Sequence, residues 1–433
     1  MGPDVAVDSP FDSRWLDDLA NVCSMLARTN PHLVDLYLER KLELRAVSSG
    51  GSQWVEECWT EGAATRWRFP NRTAMTARSG VSPQDVSSVL GATGERVVLP
   101  TSRPVPPADI DPPRGWRKWA CELAGRPSNG RTVVRFLSRQ GVVVGPRRWA
   151  TVESPPLLMV EIERINQTAL LGVWDHPDLN RWLRELVDPP PARPWHPDSG
   201  LSVPVLFTSG AGGVLMHELV GHPVESDLVL SGDSPMVALE EAMVTAATIH
   251  ITDDPSRADL PGAFSHDDEG LQAGPQTVVS GGRLVGWLCD RDGGERLGGP
   301  AGRGRRASWN GPPTSRMSNL VVTAGDTPPE SIESGLDRGL VVTRLGGATL
   351  DPVSNRLVLR VERGWEIHAG RRRRPLGTIE LTGGALEVLA HLDPTVGSDP
   401  TPDWRLGWCV KNGVPLPTGS ESPSLLAHRL EVI

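Results

Sequence analysis

Proline sets the frame for this chain. The stretch 101–114 carries five prolines and the stretch 188–204 carries six. Each proline lacks an amide proton and pushes the residue before it toward extended backbone, so both stretches are predicted to be extended loops or linkers. We place the main boundary in the second. This divides the 433 residues into an N-terminal α+β domain with antiparallel strands, residues 1–195, and a strand-rich C-terminal domain, residues 196–433, which carries the helix discussed below.

Hydrophobic periodicity fills in the elements. Phe11, Trp15, Leu19, Val22 and Leu26 recur at helical spacing. Val34, Leu36 and Leu38, then Leu42 and Leu44, alternate with polar residues as half-buried strands do. A hairpin is expected around Glu61 and Gly62, a helix starting at Ser82 and Pro83, and another helix through Leu179, Trp182, Leu183 and Leu186. In the second half, Val203, Val205 and Phe207 form a strand, and a glycine-rich turn at Thr208 to Gly213 leads into a helix near Val214. Thr327 to Glu330 has capping-box spacing, and residues 356–381 read as a β-meander with the arginines 371–374 at a solvated tip. Trp54, Trp59 and Trp67 are expected to fill core, with a peptide groove as the alternative.

Composition excludes several classes of partner. Acidic residues outnumber basic ones, 53 to 44, for a net charge of −9, which does not suit a surface that neutralises phosphates, so nucleic acid is excluded. No apolar run approaches the roughly 18 residues of a membrane span, and the first ten residues lack the basic and apolar regions of a signal peptide, so no membrane partner is expected. Five widely spaced cysteines without a CxxC point away from a disulfide framework and toward a reducing, cytoplasmic setting.

Chemistry concentrates in one segment, His217, Glu218, Leu219, Val220, Gly221, His222, Pro223. Two imidazoles can bind a zinc ion, and a carboxylate directly after the first can take a proton from water at that ion. The usual spacing of such ligands is four. Here it is five, and at about 100° per residue a regular helix would rotate the second imidazole roughly 140° from the first. The helix must therefore widen or stop. Gly221 accepts unusual dihedrals, and Pro223 is expected to push His222 out of the helical region. A catalytic zinc needs a third protein ligand, and spacing leaves Glu225, Glu240, Glu241, His250, His266, Cys289 and Cys409 all open.

The segment His217 to Asp227 resembles the HExxxH signature of the TldD/PmbA family of metallopeptidases, in its TldD-type form. Further stretches match in order. Asp267, Asp268, Glu269 and Gly270 resemble its DDEG; Gly304, Arg305 and Arg306, with Arg316, Met317, Ser318 and Asn319, resemble its GxxRR and RMxN stretches. Gly407 to Gly413, leading to Pro417, Thr418 and Gly419, resembles the C-terminal segment around its cysteine. In the first half, the similarity is traceable at Val34 to Tyr37. The chain departs from the family at Pro223, Ser226 and Val410, where glycine is usual.

The resemblance implies a Zn2+ site of His217, His222 and Cys409, with Glu218 as general base. Glu225, Asp268 and Glu269 are candidates for supporting the ligands or touching substrate. It also implies a dimer, either a homodimer or a heterodimer with a PmbA/TldE-like subunit. The expected activity is zinc-dependent hydrolysis of peptide bonds in extended or unfolded peptides. The competing readings are an amide hydrolase that tailors a peptide-like metabolite and a non-catalytic regulatory or binding subunit.

Overall fold

The computed structural model describes residues 11–69, 72–91, 99, 115–125, 131–146, 148–162, 167–173, 181–182, 194–403 and 407–433. It is a mixed α/β structure whose first sheet draws only on residues before 174 and whose remaining sheets draw only on residues after 201.

The first sheet is antiparallel and built around β1 (Leu33–Ser49), which pairs with β2 (Ser52–Phe69) on one side and β4 (Thr132–Gly145) on the other. β3 (Arg72–Ser79), β5 (Arg148–Glu153), β6 (Leu157–Ile162) and β7 (Gln167–Val173) complete seven strands. Parity along β1 decides what each face meets. Leu36 and Leu38 pack under α1 (Ser13–Thr29) and α2 (Pro83–Leu90), while Leu42, Leu44 and Ala46 pack under α3 (Trp116–Ala124). Tyr37, of opposite parity, points to the other face and joins Val143, Val152 and Trp309, so that face receives the C-terminal half.

In the C-terminal half, Arg338–Asp351, β8 (Ser202–Phe207), Leu425–Val432, Ile379–Gly384 and Arg356–His368 pair in that order. The first and last of these also pair with each other, which closes five strands into a ring. Val205, Phe207, Leu340, Leu359, Leu381 and Ala427 contribute to its core. A six-stranded sheet lies beside it, and the helix Ala211–Met216 packs against both. No helix among the described residues is long and apolar enough to cross a membrane.

Several expectations meet the structure well. The first helix buries Trp15, Leu19 and Leu26, and Ser82 and Asp85 form a reciprocal capping box ahead of Pro83. Others are corrected. The hairpin turn lies at Gly50 and Gly51, both with positive φ, and β2 runs straight through Glu61 and Gly62. Gly62 is small for another reason: a Cβ there would enter the Trp309 ring. At residues 327–330 no side chain caps the helix Pro329–Gly335; its N-cap is Pro328, and Thr327 instead bridges to Gly397. The four arginines form a strand, Arg371–Pro375, after a turn at Ala369 and Gly370. Trp67 is buried, but Trp54 and Trp59 are exposed and donate to Glu56 and Glu57 on β2, so the core does not account for them. The prolines of 101–114 and most of the helix expected at 179–186 lie outside the described residues.

Candidate metal centre

The helix Ala211–Met216 continues into a π-helical turn, His217–Gly221, in which the His222 amide donates to the His217 carbonyl at 3.1 Å. A hydrogen bond from residue i+5 to residue i stacks residues five apart on one face, so the widened turn resolves the spacing problem. The two imidazole centroids are 4.9 Å apart with planes at 87°. Two local expectations change. His222 stays in the helical region at φ −64 and ψ −47 although it precedes proline, because its amide is held by the π turn and its ring by Glu225. Gly221 has no positive φ; it is glycine because any Cβ would collide with the Met317 sulfur.

Cys409 comes to this turn from 187 residues away, on the hairpin of Trp408–Lys411 and Val414–Pro417, with its sulfur 3.1 Å from His222 Nε2. One ligand atom from each of His217, His222 and Cys409 lies within 4.8 Å of the others, and no other such group of His, Cys, Asp or Glu occurs among the described residues. Burial alone would raise the Cys409 thiol, but the charges of His222 and His217 outweigh it and hold the thiol well below its ordinary value. Four of the other candidates for third ligand are placed elsewhere, and Glu241 is not in the cluster. Glu240 accepts from Trp287, His250 accepts from the Gly281 amide, Cys289 donates to the Trp287 carbonyl, and His266 lines a different cavity.

Glu225 sits behind the cluster, fully buried. Its Oε2 faces His222 Nδ1 at 3.0 Å and accepts from Lys411 Nζ at 2.7 Å, and its Oε1 accepts from the Met317 amide at 3.0 Å. Burial pushes this carboxyl up, yet His222 and Lys411 overcome that and keep it far below the usual range. A carboxylate on Nδ1 fixes the ring so that Nε2 presents its lone pair toward Cys409 and His217.

The groove above the cluster measures about 400 Å³. Glu218 lines it, next to His217, and its side chain carries no hydrogen bond or ion pair among the described residues. Gly347–Leu350 form the opposite wall.

Asp268 and Glu269 are not brought to this centre. Asp268 accepts from Tyr37, Arg139 and the Arg306 amide, and Glu269 pairs with Arg66 and accepts from the Arg291 amide, so the acidic turn joins the two halves of the molecule. Sequence reasoning missed what holds the hairpin. Arg316 donates to the carbonyls of Cys409 at 2.8 Å and Val414 at 3.1 Å, and Arg305 donates to those of Met317 and Pro417. Both arginines stood in the quoted motifs, but guanidinium-to-carbonyl contacts leave no spacing signal.

Comparison with known proteins places the chain in a family. Residues 200–433 match the family model described as the PmbA/TldA metallopeptidase C-terminal domain. A metalloprotease TldD homolog of Buchnera aphidicola (subsp. Schizaphis graminum) is 30% identical over 230 residues, covering 53% of this chain and 47% of that protein. A zinc metalloprotease TldD homolog of Saccharolobus solfataricus is 24% identical over 281 residues, covering 63% of this chain and 61% of that protein. The match thus spans about half the length of the first of these relatives. Among solved structures, TldE from Thermococcus kodakarensis superposes with a TM-score of 0.66 at 14% identity, over 96% of this chain and 99% of that one, which shows a shared fold. With its C-terminal half matched throughout, this chain belongs to the PmbA/TldD metallopeptidase family.

Proposed function

We propose that this protein is a zinc-dependent peptidase that hydrolyses peptide bonds of extended or unfolded chains. The observation that carries the reading is the convergence of His217, His222 and Cys409 at the floor of a groove that Glu218 also lines. Two imidazoles and a thiolate suit zinc, and three protein donors beside open space match a catalytic site. A four-donor structural site would need another ligand at the cluster, and none is there among the described residues.

Zinc held there supplies the Lewis acidity that makes water nucleophilic near neutral pH. The Glu218 side chain has no competing partner among the described residues and is free to take the proton from the attacking water and return it to the departing amine. Glu225 keeps His222 oriented and Arg316 keeps Cys409 in reach.

Substrate enters extended in this reading. The strand Arg338–Asp351 is covered by β8 only at Leu340–Val342, so the edge of Gly347–Leu350 facing the groove is left to pair with an incoming backbone. The division near residue 195, and a dimer with a second copy or a TldE-like subunit, belong to the same proposal.

The test separates metal from turnover. Glu218→Gln retains stoichiometric zinc and loses about 10²–10⁴-fold of the peptide-hydrolysis rate, whereas Cys409→Ser loses the zinc. Wild-type hydrolysis by the glutamine variant would overturn the role of Glu218, and full zinc retention by the serine variant would overturn the ligand set.

A further inference from the structure

A second cavity, of about 130 Å³, lies where the N-terminal sheet meets the hairpin that carries Cys409. Trp408 belongs to the walls of both this cavity and the metal groove, and along the hairpin Thr418 faces the groove while Pro417 faces the cavity. Leu137, Leu157, Phe264, Trp408 and Leu416 give it an apolar lining. A dry apolar void of about 150 Å³ accepts a benzene ring, so one ring or one branched aliphatic group fits a space of this size.

The charges around this chamber do not cancel. Asp267 accepts from the amides of Glu269, Leu271 and Gly304, and Asp268 is matched by Arg139, which Glu39 also neutralises. The Arg306 amide donates to the Asp268 carboxylate, while its guanidinium donates to the Asp268 backbone carbonyl and lies 4.1 Å from the Tyr37 ring centroid. Besides Arg306, two cations in the lining have no carboxylate partner among the described residues. The Lys41 side chain makes no hydrogen bond or ion pair among the described residues. Arg305 is buried, donates only to backbone carbonyls, and lies 5.1 Å from the Phe264 ring centroid. Burial lowers the Arg305 guanidinium to about 10, against the opposing pull of Asp268. A buried guanidinium satisfied by dipoles alone gains most from an anion placed beside it.

We propose that this junction cavity binds a small apolar monocarboxylate, its ring or branched chain against Phe264 and Trp408 and its carboxylate toward Lys41 and Arg305. That chemistry is shared by a free aromatic or branched acid and by the C-terminal residue of a peptide. The site is distinct from the metal groove and stands whether or not the peptidase reading holds.

Calorimetric titration of the full chain tests it, with phenylacetate as the free acid, acetyl-glycyl-phenylalanine as the peptide terminus and phenethylamine as the charge-reversed control. Saturable binding of at least one of the two acids, with none of the amine, is expected, and which acid binds identifies the source. Lys41→Gln weakens binding about three- to tenfold, the scale of one partly exposed ion pair. Ala307→Phe, which fills the cavity from its wall, abolishes binding while the ligand-free melting temperature stays near wild type. Absence of saturable binding of both acids at millimolar concentration overturns the proposal. So does undiminished binding to a folded Ala307→Phe protein, which would place the carboxylate at the metal centre, or equal binding of phenethylamine. If Ala307→Phe does not fold, unchanged affinity in Lys41→Gln overturns it instead.

Discussion

At the scale of single residues, the metal centre depends on atoms that never reach the ion. Met317 packs its sulfur where a Gly221 Cβ would stand, and its amide holds Glu225, which in turn holds His222. Gly221→Ala is therefore expected to displace Met317 and lower stability by about 1–3 kcal/mol, the usual scale of overpacking a dense core, read as a shift in urea midpoint. Glu225→Gln keeps the size of the side chain and removes its charge; zinc affinity should fall about 10–100-fold in a chelator competition. How much of this was legible varies by residue. His217, Glu218 and His222 declare themselves by type and spacing. Cys409 does not, since nothing local marks a cysteine 187 residues away, and only the motif around it singled it out. Lys411 was hidden for a similar reason: its role is defined by Glu225 and Asp227, which reach it only after folding.

At the scale of elements, alternation was readable and turns were less so. The Leu36, Leu38, Leu42 and Leu44 pattern marked a strand with one buried face, and the structure places all four on that face. The end of the strand was misplaced because a glycine can mean either a turn or a close approach. Gly50 and Gly51 are the turn, with φ of +58 and +81, while Gly62 makes room for Trp309. Caps behaved in the same divided way. Ser82 and Asp85 satisfy each other's backbone, and Ser82→Ala is expected to lower stability by about 1 kcal/mol in thermal or chemical unfolding. The π turn was legible as a necessity, since five-residue spacing excluded a regular helix, but its form was not. Proline's local preference pointed away from the helical dihedrals that the hydrogen bond to His217 enforces.

At the scale of the whole molecule, the two halves are fastened by buried charge. Arg66 pairs with Asp35 on its own sheet and with Glu269 across the junction, 203 residues away. Arg139 links Glu39 to Asp268 in parallel. Removing one partner strands the others in a dry environment, so Arg66→Met should lower stability by about 3–5 kcal/mol, measured by denaturant unfolding. Pairings of this reach are invisible to periodicity or local spacing, which is why the sequence did not show that the acidic turn joins the two halves of the chain.

The distance along the chain between His222 and Cys409 also has a consequence in time. A ribosome delivers both imidazoles 187 residues before it delivers the sulfur, so a nascent chain first holds an incomplete cage. The three-donor cluster is complete only once synthesis has passed Cys409, with the strand Leu425–Val432, which joins β8 to Ile379–Gly384 in the ring, still to follow.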